Sequence, residues 1–82
     1  MATYIDDWLI EAKKENAKYL LVVNNAGYHY HLKCYSVEDF KFKFISLLHM
    51  GSQELMWMYA LSTEDYLEVS EEDAWHIVHS GV

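Results

Sequence analysis

The sequence predicts an α+β domain: a mostly antiparallel four-stranded sheet with three helices, in the order α-β-β-α-β-β-α. Three observations predict it. Three segments open with a hydroxyl residue followed three positions later by an acid, and each continues with apolar residues at helical spacing. Two pairs of strand-like runs stand between those segments. Turn-forming residues separate the members of each pair.

The first helix opens at "TYID", with Thr3 as cap and Asp6 three residues on. Tyr4, Ile5, Trp8, Leu9 and Ala12 then share one face, and Lys13, Lys14 and Lys18 come late, where the helix dipole favours cations. "YLLVV" (19–23) and "YHYHLKCY" (28–35) read as two strands of a hairpin joined by "NNAG", since Asn and Gly tolerate positive φ. The second helix opens at Ser36 with Asp39 behind it. Its stripe is Val37, Phe40, Phe44, Leu47 and Leu48, and Gly51 is expected to close it as the residue after the cap. "ELMWMYALS" (54–62) is the strongest strand. "YLEV" (66–69) is a weaker one beyond the turn "STED", with a short helix as the alternative. Ser70 and Asp73 open the last helix, carrying Ala74, Trp75, Ile77 and Val78. The order of strands in the sheet does not follow from these patterns.

A chain of 82 residues makes one domain, 1–82, with one small core. Its 52% hydrophobic content supports folding and excludes a disordered class. The single cysteine, Cys34, excludes an internal disulfide, which fits a reducing, cytoplasmic setting. The acidic start does not resemble a secretory leader. No apolar run approaches the roughly 20 residues of a membrane span.

Charge is the most informative property. Thirteen acids face six lysines and no arginine, for a formal charge of −7. Every lysine lies between positions 13 and 43, and residues 44–82 carry acids only. Such a chain repels phosphate backbones and lacks the side chain best suited to grip them, which argues against direct nucleic-acid binding. The partner it suits is a basic protein, such as a nuclease or another nucleic-acid-binding protein. The candidate surface is "STEDYLEVSEED", with Glu64, Asp65, Tyr66, Glu68, Glu71, Glu72 and Asp73 as partner-binding residues.

A second candidate is the strand "LMWMYAL". Alternation puts Leu55, Trp57, Tyr59 and Leu61 on one face and Met56, Met58 and Ala60 on the other, so both faces are apolar. Either helices cover both sides, or part of the strand is an apolar interface, with Met56, Trp57, Met58 and Tyr59 joining a homodimer.

Catalytic and metal chemistry finds little support. In "YHYHLKCY", His29, His31, Lys33 and Tyr35 share one face; Tyr28, Tyr30, Leu32 and Cys34 share the other and should meet the core. The two histidines could hold a metal if His76 or His79 joined them, but Lys33 beside them opposes a cation. No metal and no cofactor is expected. Cys34 points away from both strand histidines, and Ser36 and Ser70 read as caps. No phosphate loop, nucleophile elbow or zinc-deaminase spacing occurs. The expectation is a non-enzymatic binding protein. Its size, its charge and its lack of catalytic motifs are like those of small acidic inhibitors carried by phages and mobile elements, namely anti-CRISPR, anti-restriction and immunity proteins. The alternative is a homodimeric structural or regulatory interaction module.

Overall fold

The computed structural model describes residues 4–62 and 65–80. The elements are α1 (Tyr4–Lys14), β1 (Tyr19–Asn25), β2 (Tyr28–Cys34), α2 (Val37–His49), β3 (Gln53–Leu61), β4 (Tyr66–Glu68) and α3 (Glu71–Ser80). The fold is α+β in the predicted order, and all three strand pairings are antiparallel. The strands lie in the order β2-β1-β3-β4. The weak run at 66–69 is a strand, three residues long.

The central strand β1 is buried on both faces. Leu21 and Val23 face α2 and α3, in a core with Cys34, Phe40, Phe44, Leu47, Met58, Val69, Ala74 and Val78. Leu20 and Val22 face α1, in a smaller core with Leu9, Ala12 and Ala17. Two helices therefore cover one face of the sheet and one helix covers the other. Phe40 and Phe44, one helical turn apart, stack with centroids 5.7 Å apart in the larger core. Leu48, expected on the same stripe, is largely exposed at its margin.

Helix ends follow local chemistry. The Asp39 N–H donates to Ser36 Oγ at 3.0 Å, and the Asp73 N–H donates to Ser70 Oγ at 3.1 Å. Asp39 does not close a full capping box. Its carboxylate accepts from the Tyr35 N–H at 3.0 Å, one residue before the cap. Thr3, the expected first cap, lies outside the described residues. The end of α1 carries a cap that the patterning did not reveal. Asn16 has φ 62°, its N–H bonds Lys13 O, and the Ala17 N–H bonds Ala12 O at 3.0 Å. This is a Schellman motif with Asn in the left-handed position and an Ala12–Ala17 pair in the core beneath it. Gly51 does not play that role for α2. The cap is Met50, in extended backbone with φ −95°, and positive φ occurs at Asn16, Ala26 and Gly27 among the described residues.

The β1–β2 hairpin turns on Ala26 and Gly27, both at positive φ, between the paired residues Asn25 and Tyr28. Asn24 Oδ1 accepts from the Gly27 N–H at 2.9 Å and holds the turn. On β2, Tyr30, Leu32 and Cys34 meet the larger core as alternation requires, while Tyr28, at the turn, is exposed.

One irregularity changes which residues share a face. Val22 pairs with Trp57 and Val23 with Leu55, so Met56 is the extra residue of a β-bulge. Strict alternation would put Leu55 with Trp57. The bulge moves Leu55 to the face of Met58 and Ala60, where it packs on the larger core.

Candidate functional site

The acidic candidates gather at one edge of the molecule. β4 is an outer strand, and Tyr59, Ala60 and Leu61 of β3 pair with its Glu68, Leu67 and Tyr66. Alternation therefore turns Tyr66 and Glu68 to the α1 face and Leu67 to the opposite one. Tyr66 rests edge-on against Tyr59, centroids 5.6 Å apart. Burial raises the Tyr59 phenol pKa, and the charge of Glu68 across the strand pair raises it further.

The chain then reaches Ser70, which caps α3, and Glu71, Glu72 and Asp73 form the first turn. All three are exposed. Their charges suit the positive end of that helix. Asp65 stands in the turn before β4, where its carboxylate accepts from the Tyr66 N–H at 2.7 Å. Glu64 lies outside the described residues. Asp65, Tyr66, Glu68, Glu71, Glu72 and Asp73 are all exposed along an acidic rim of the chain from the outer strand to the start of α3, with Tyr66 and Glu68 toward the α1 face of the sheet and α3 on the other.

Lys18 borders the Asp65 end of this segment, its carbonyl accepting from the Leu61 N–H beside Ser62, which bonds Asp65, while Lys33 and Lys43 lie elsewhere. Lys33, on the opposite outer strand β2, pairs with Glu11 and with Glu15, the latter at 2.6 Å. Tyr35 donates to the same Glu15 at 3.0 Å. These contacts raise the Lys33 pKa, through Glu11 first, and lower that of Glu15. Lys43 bonds Asp39 at 3.2 Å and the Lys33 carbonyl at 2.6 Å, placing an ammonium at the β2 margin. No ion pair joins the acidic rim to a lysine among the described residues.

The apolar candidates are split by the sheet. Met58 is 6% exposed and sits in the core under α2 and α3, so it offers a partner little surface. Trp57 is on the α1 face, 36% exposed, and Tyr59 is half-buried beside α1. Met56, at the bulge, is half-buried. Trp57 and Tyr59 share the α1 face and Met58 turns to the other, while Met56, Trp57 and Met58 all border a groove along this strand.

A feature absent from the sequence reading lies beside the rim. β4 pairs only with Tyr59–Leu61, and Val69 adds one bond to the Met58 carbonyl at 2.8 Å. The Gln53–Trp57 half of β3 therefore has β1 on one side and no described strand on the other. A groove of about 460 Å³ follows this open edge, between α2 and the start of α3. Glu54 lines it together with Glu68 and Glu71. The available signal was length: a nine-residue strand next to a three-residue one must leave part of its edge open.

Four of the residues considered for chemistry, His31, Cys34, Ser36 and Ser70, make packing or capping contacts. His31 packs against Trp8 of α1, with ring centroids 4.4 Å apart and planes tilted. Burial lowers its pKa, the nearby Lys33 lowers it further, and Glu11 and Glu15 act against that shift. The sheet separates the β2 histidines from His76 and His79 of α3. Among the described residues no three His, Cys, Asp or Glu side chains are grouped to hold a metal. Cys34 is buried against Phe40, Phe44 and their neighbours, and desolvation pushes its thiol up to about 12. Ser36 and Ser70 hold helix starts. No described helix is long and apolar enough to cross a membrane. No family model matches the sequence, and no curated protein or solved structure matches it.

Proposed function

We propose that this chain is a non-enzymatic binding protein that occupies the basic surface of a nucleic-acid-handling protein, in the manner of anti-CRISPR, anti-restriction or immunity inhibitors. One observation carries the reading. Asp65, Glu68, Glu71, Glu72 and Asp73 share an exposed rim on which no described lysine pairs with them. Carboxylates on a rigid scaffold can neutralise the lysines and arginines that a partner uses for phosphates, and so exclude DNA or RNA. Trp57 and Tyr66, exposed beside the rim, supply aromatic anchors of the kind that dominate interface energies. The buried Cys34 and the capping serines support a role without catalysis.

The test is affinity capture from a nuclease-treated bacterial lysate with wild type and with the triple variant Glu68→Lys, Glu71→Lys, Glu72→Lys. Circular dichroism and thermal melting check that the variant folds, because two of the changes oppose the α3 dipole. The expected result is one basic partner, held by wild type at low salt, released at high salt and not held by the variant. A partner held equally by both proteins, or insensitive to salt, overturns the reading.

The second reading, self-association through exposed apolar surface, draws on Trp57 and on Leu67, which is 73% exposed. Light scattering decides it. A dimer that Trp57→Ala dissociates supports it, and a monomer at high concentration removes it.

A further inference from the structure

We infer that the open half of β3 is a docking edge for an extended, lysine- or arginine-bearing segment of a partner protein, which adds as a fifth strand. The inference rests on the reading of the acidic rim as a binding face, and it states how that face engages.

Three observations lead to it. The first is backbone supply. An outer strand position offers N–H and C=O groups that a new strand can pair, and β4 leaves Gln53–Trp57 without a neighbouring strand on that side among the described residues. Only alternate residues of this stretch turn their backbone groups outward, since the others bond β1, and the Gln53 N–H already bonds the Met50 carbonyl at 3.1 Å, so the open ladder is short. The second is shape. The groove along that edge is walled by Leu48 of α2 and floored by Leu55 and Met56, which can receive alternate side chains of an added strand. The bulge helps here, since it turns Leu55 onto the face that α2 covers. The third is charge. Glu54, Glu68 and Glu71 line the groove and no lysine does. That set favours a cationic segment. It disfavours a second copy of this chain, because edge-to-edge pairing at β3 would bring the same acids of both copies together. The other outer strand contrasts with this one: at β2, Lys43 bonds an edge carbonyl, a placement that discourages strand addition.

The probe is a synthetic octapeptide of alternating valine and lysine, titrated into isotope-labelled full chain at low salt. Two further peptides carry N-methyl groups at every second residue, in opposite phases, with the same charge. The expected result is that amide signals within residues 53–57 shift, and that the outward-facing amides not already bonded gain protection from exchange. One N-methyl phase should bind as well as the parent, and the other should bind at least about ten-fold more weakly, because only one phase faces the β3 ladder. Equal binding by both phases, or shifts confined to Glu68, Glu71 and Glu72, overturns the docking edge while leaving the acidic rim as a charge-only site. Absence of binding by the parent peptide also overturns the docking edge. The acidic-rim reading is then decided on its own by the charge-reversal capture.

Discussion

Trp8 of α1 lies on the ring of His31 of β2, centroids 4.4 Å apart and planes tilted by 32°. This contact joins the single helix on its face to an outer strand. It also removes an imidazole from water, with Lys33 nearby, so the folded protein resists charging His31.

A pH dependence follows from that burial. The folded-state pKa of His31 is lowered from the ordinary 6.5. As pH falls through that ordinary value, the unfolded chain takes up the proton first, and folding stability declines until the lower folded value is reached. Wild type should therefore lose stability as pH falls through the ordinary 6.5 in urea titrations. His31→Gln should flatten that slope. Asp39 has the opposite shift, lowered chiefly by the bond from the Tyr35 N–H. Its contribution is present above the ordinary 3.8 and is lost only as pH falls through the depressed folded value, so the two effects occupy separate windows. An unchanged slope in His31→Gln would reject the assignment.

The hairpin turn offers a stabilising change. Ala26 sits at φ 52°, a region that costs an L-residue with a Cβ roughly 1–2 kcal/mol. Ala26→Gly removes the clash but loosens the unfolded chain, for a net gain of about 0.5 kcal/mol. Asn at the same position should also stabilise. Thermal melting of both variants checks this. A loss of stability in both would mean that the turn is not of this type in solution.

Met58 and Trp57 are neighbours in sequence with different environments. Met58→Ala leaves a cavity in the larger core and should cost about 2–4 kcal/mol. Trp57→Ala removes a side chain already 36% exposed and should cost less. Denaturant titration separates them. Equal costs would place Trp57 in a core that the structure does not give it.

Cys34 should be inert in the native protein. Its thiol is buried and held near 12, so thiolate at neutral pH is scarce. Labelling by a thiol reagent should follow global unfolding, accelerating with urea in step with the loss of near-ultraviolet dichroism. Rapid labelling of folded protein would contradict the packing against Phe40 and Phe44.

Much of this molecule was legible in local pattern. Ser36 and Ser70 cap helices because a hydroxyl before an apolar period is a local signal, and the bond it makes spans three residues. The alternation in β2 placed Cys34 inward and His31 on the other face for the same reason. The clustering of all lysines before position 44 also needs no structure to be seen.

The face of Leu55 was not legible. It depends on a bulge at Met56, and a bulge is a property of how two strands register, not of either strand alone. The same holds for the burial of Met58 beside an exposed Trp57.

By itself, the sequence determined the order of elements, the α+β class, the acidic second half and the absence of a disulfide within the chain. These rest on composition and on periods of two or 3.6 residues, which act over a few positions. Only the tertiary structure decided the strand order β2-β1-β3-β4, the division of three helices between two faces, and the open half of β3 beside Glu54, Glu68 and Glu71. Those features arise from pairing and packing between residues far apart in the chain. Local propensity carries no record of which distant segment will supply the missing neighbour.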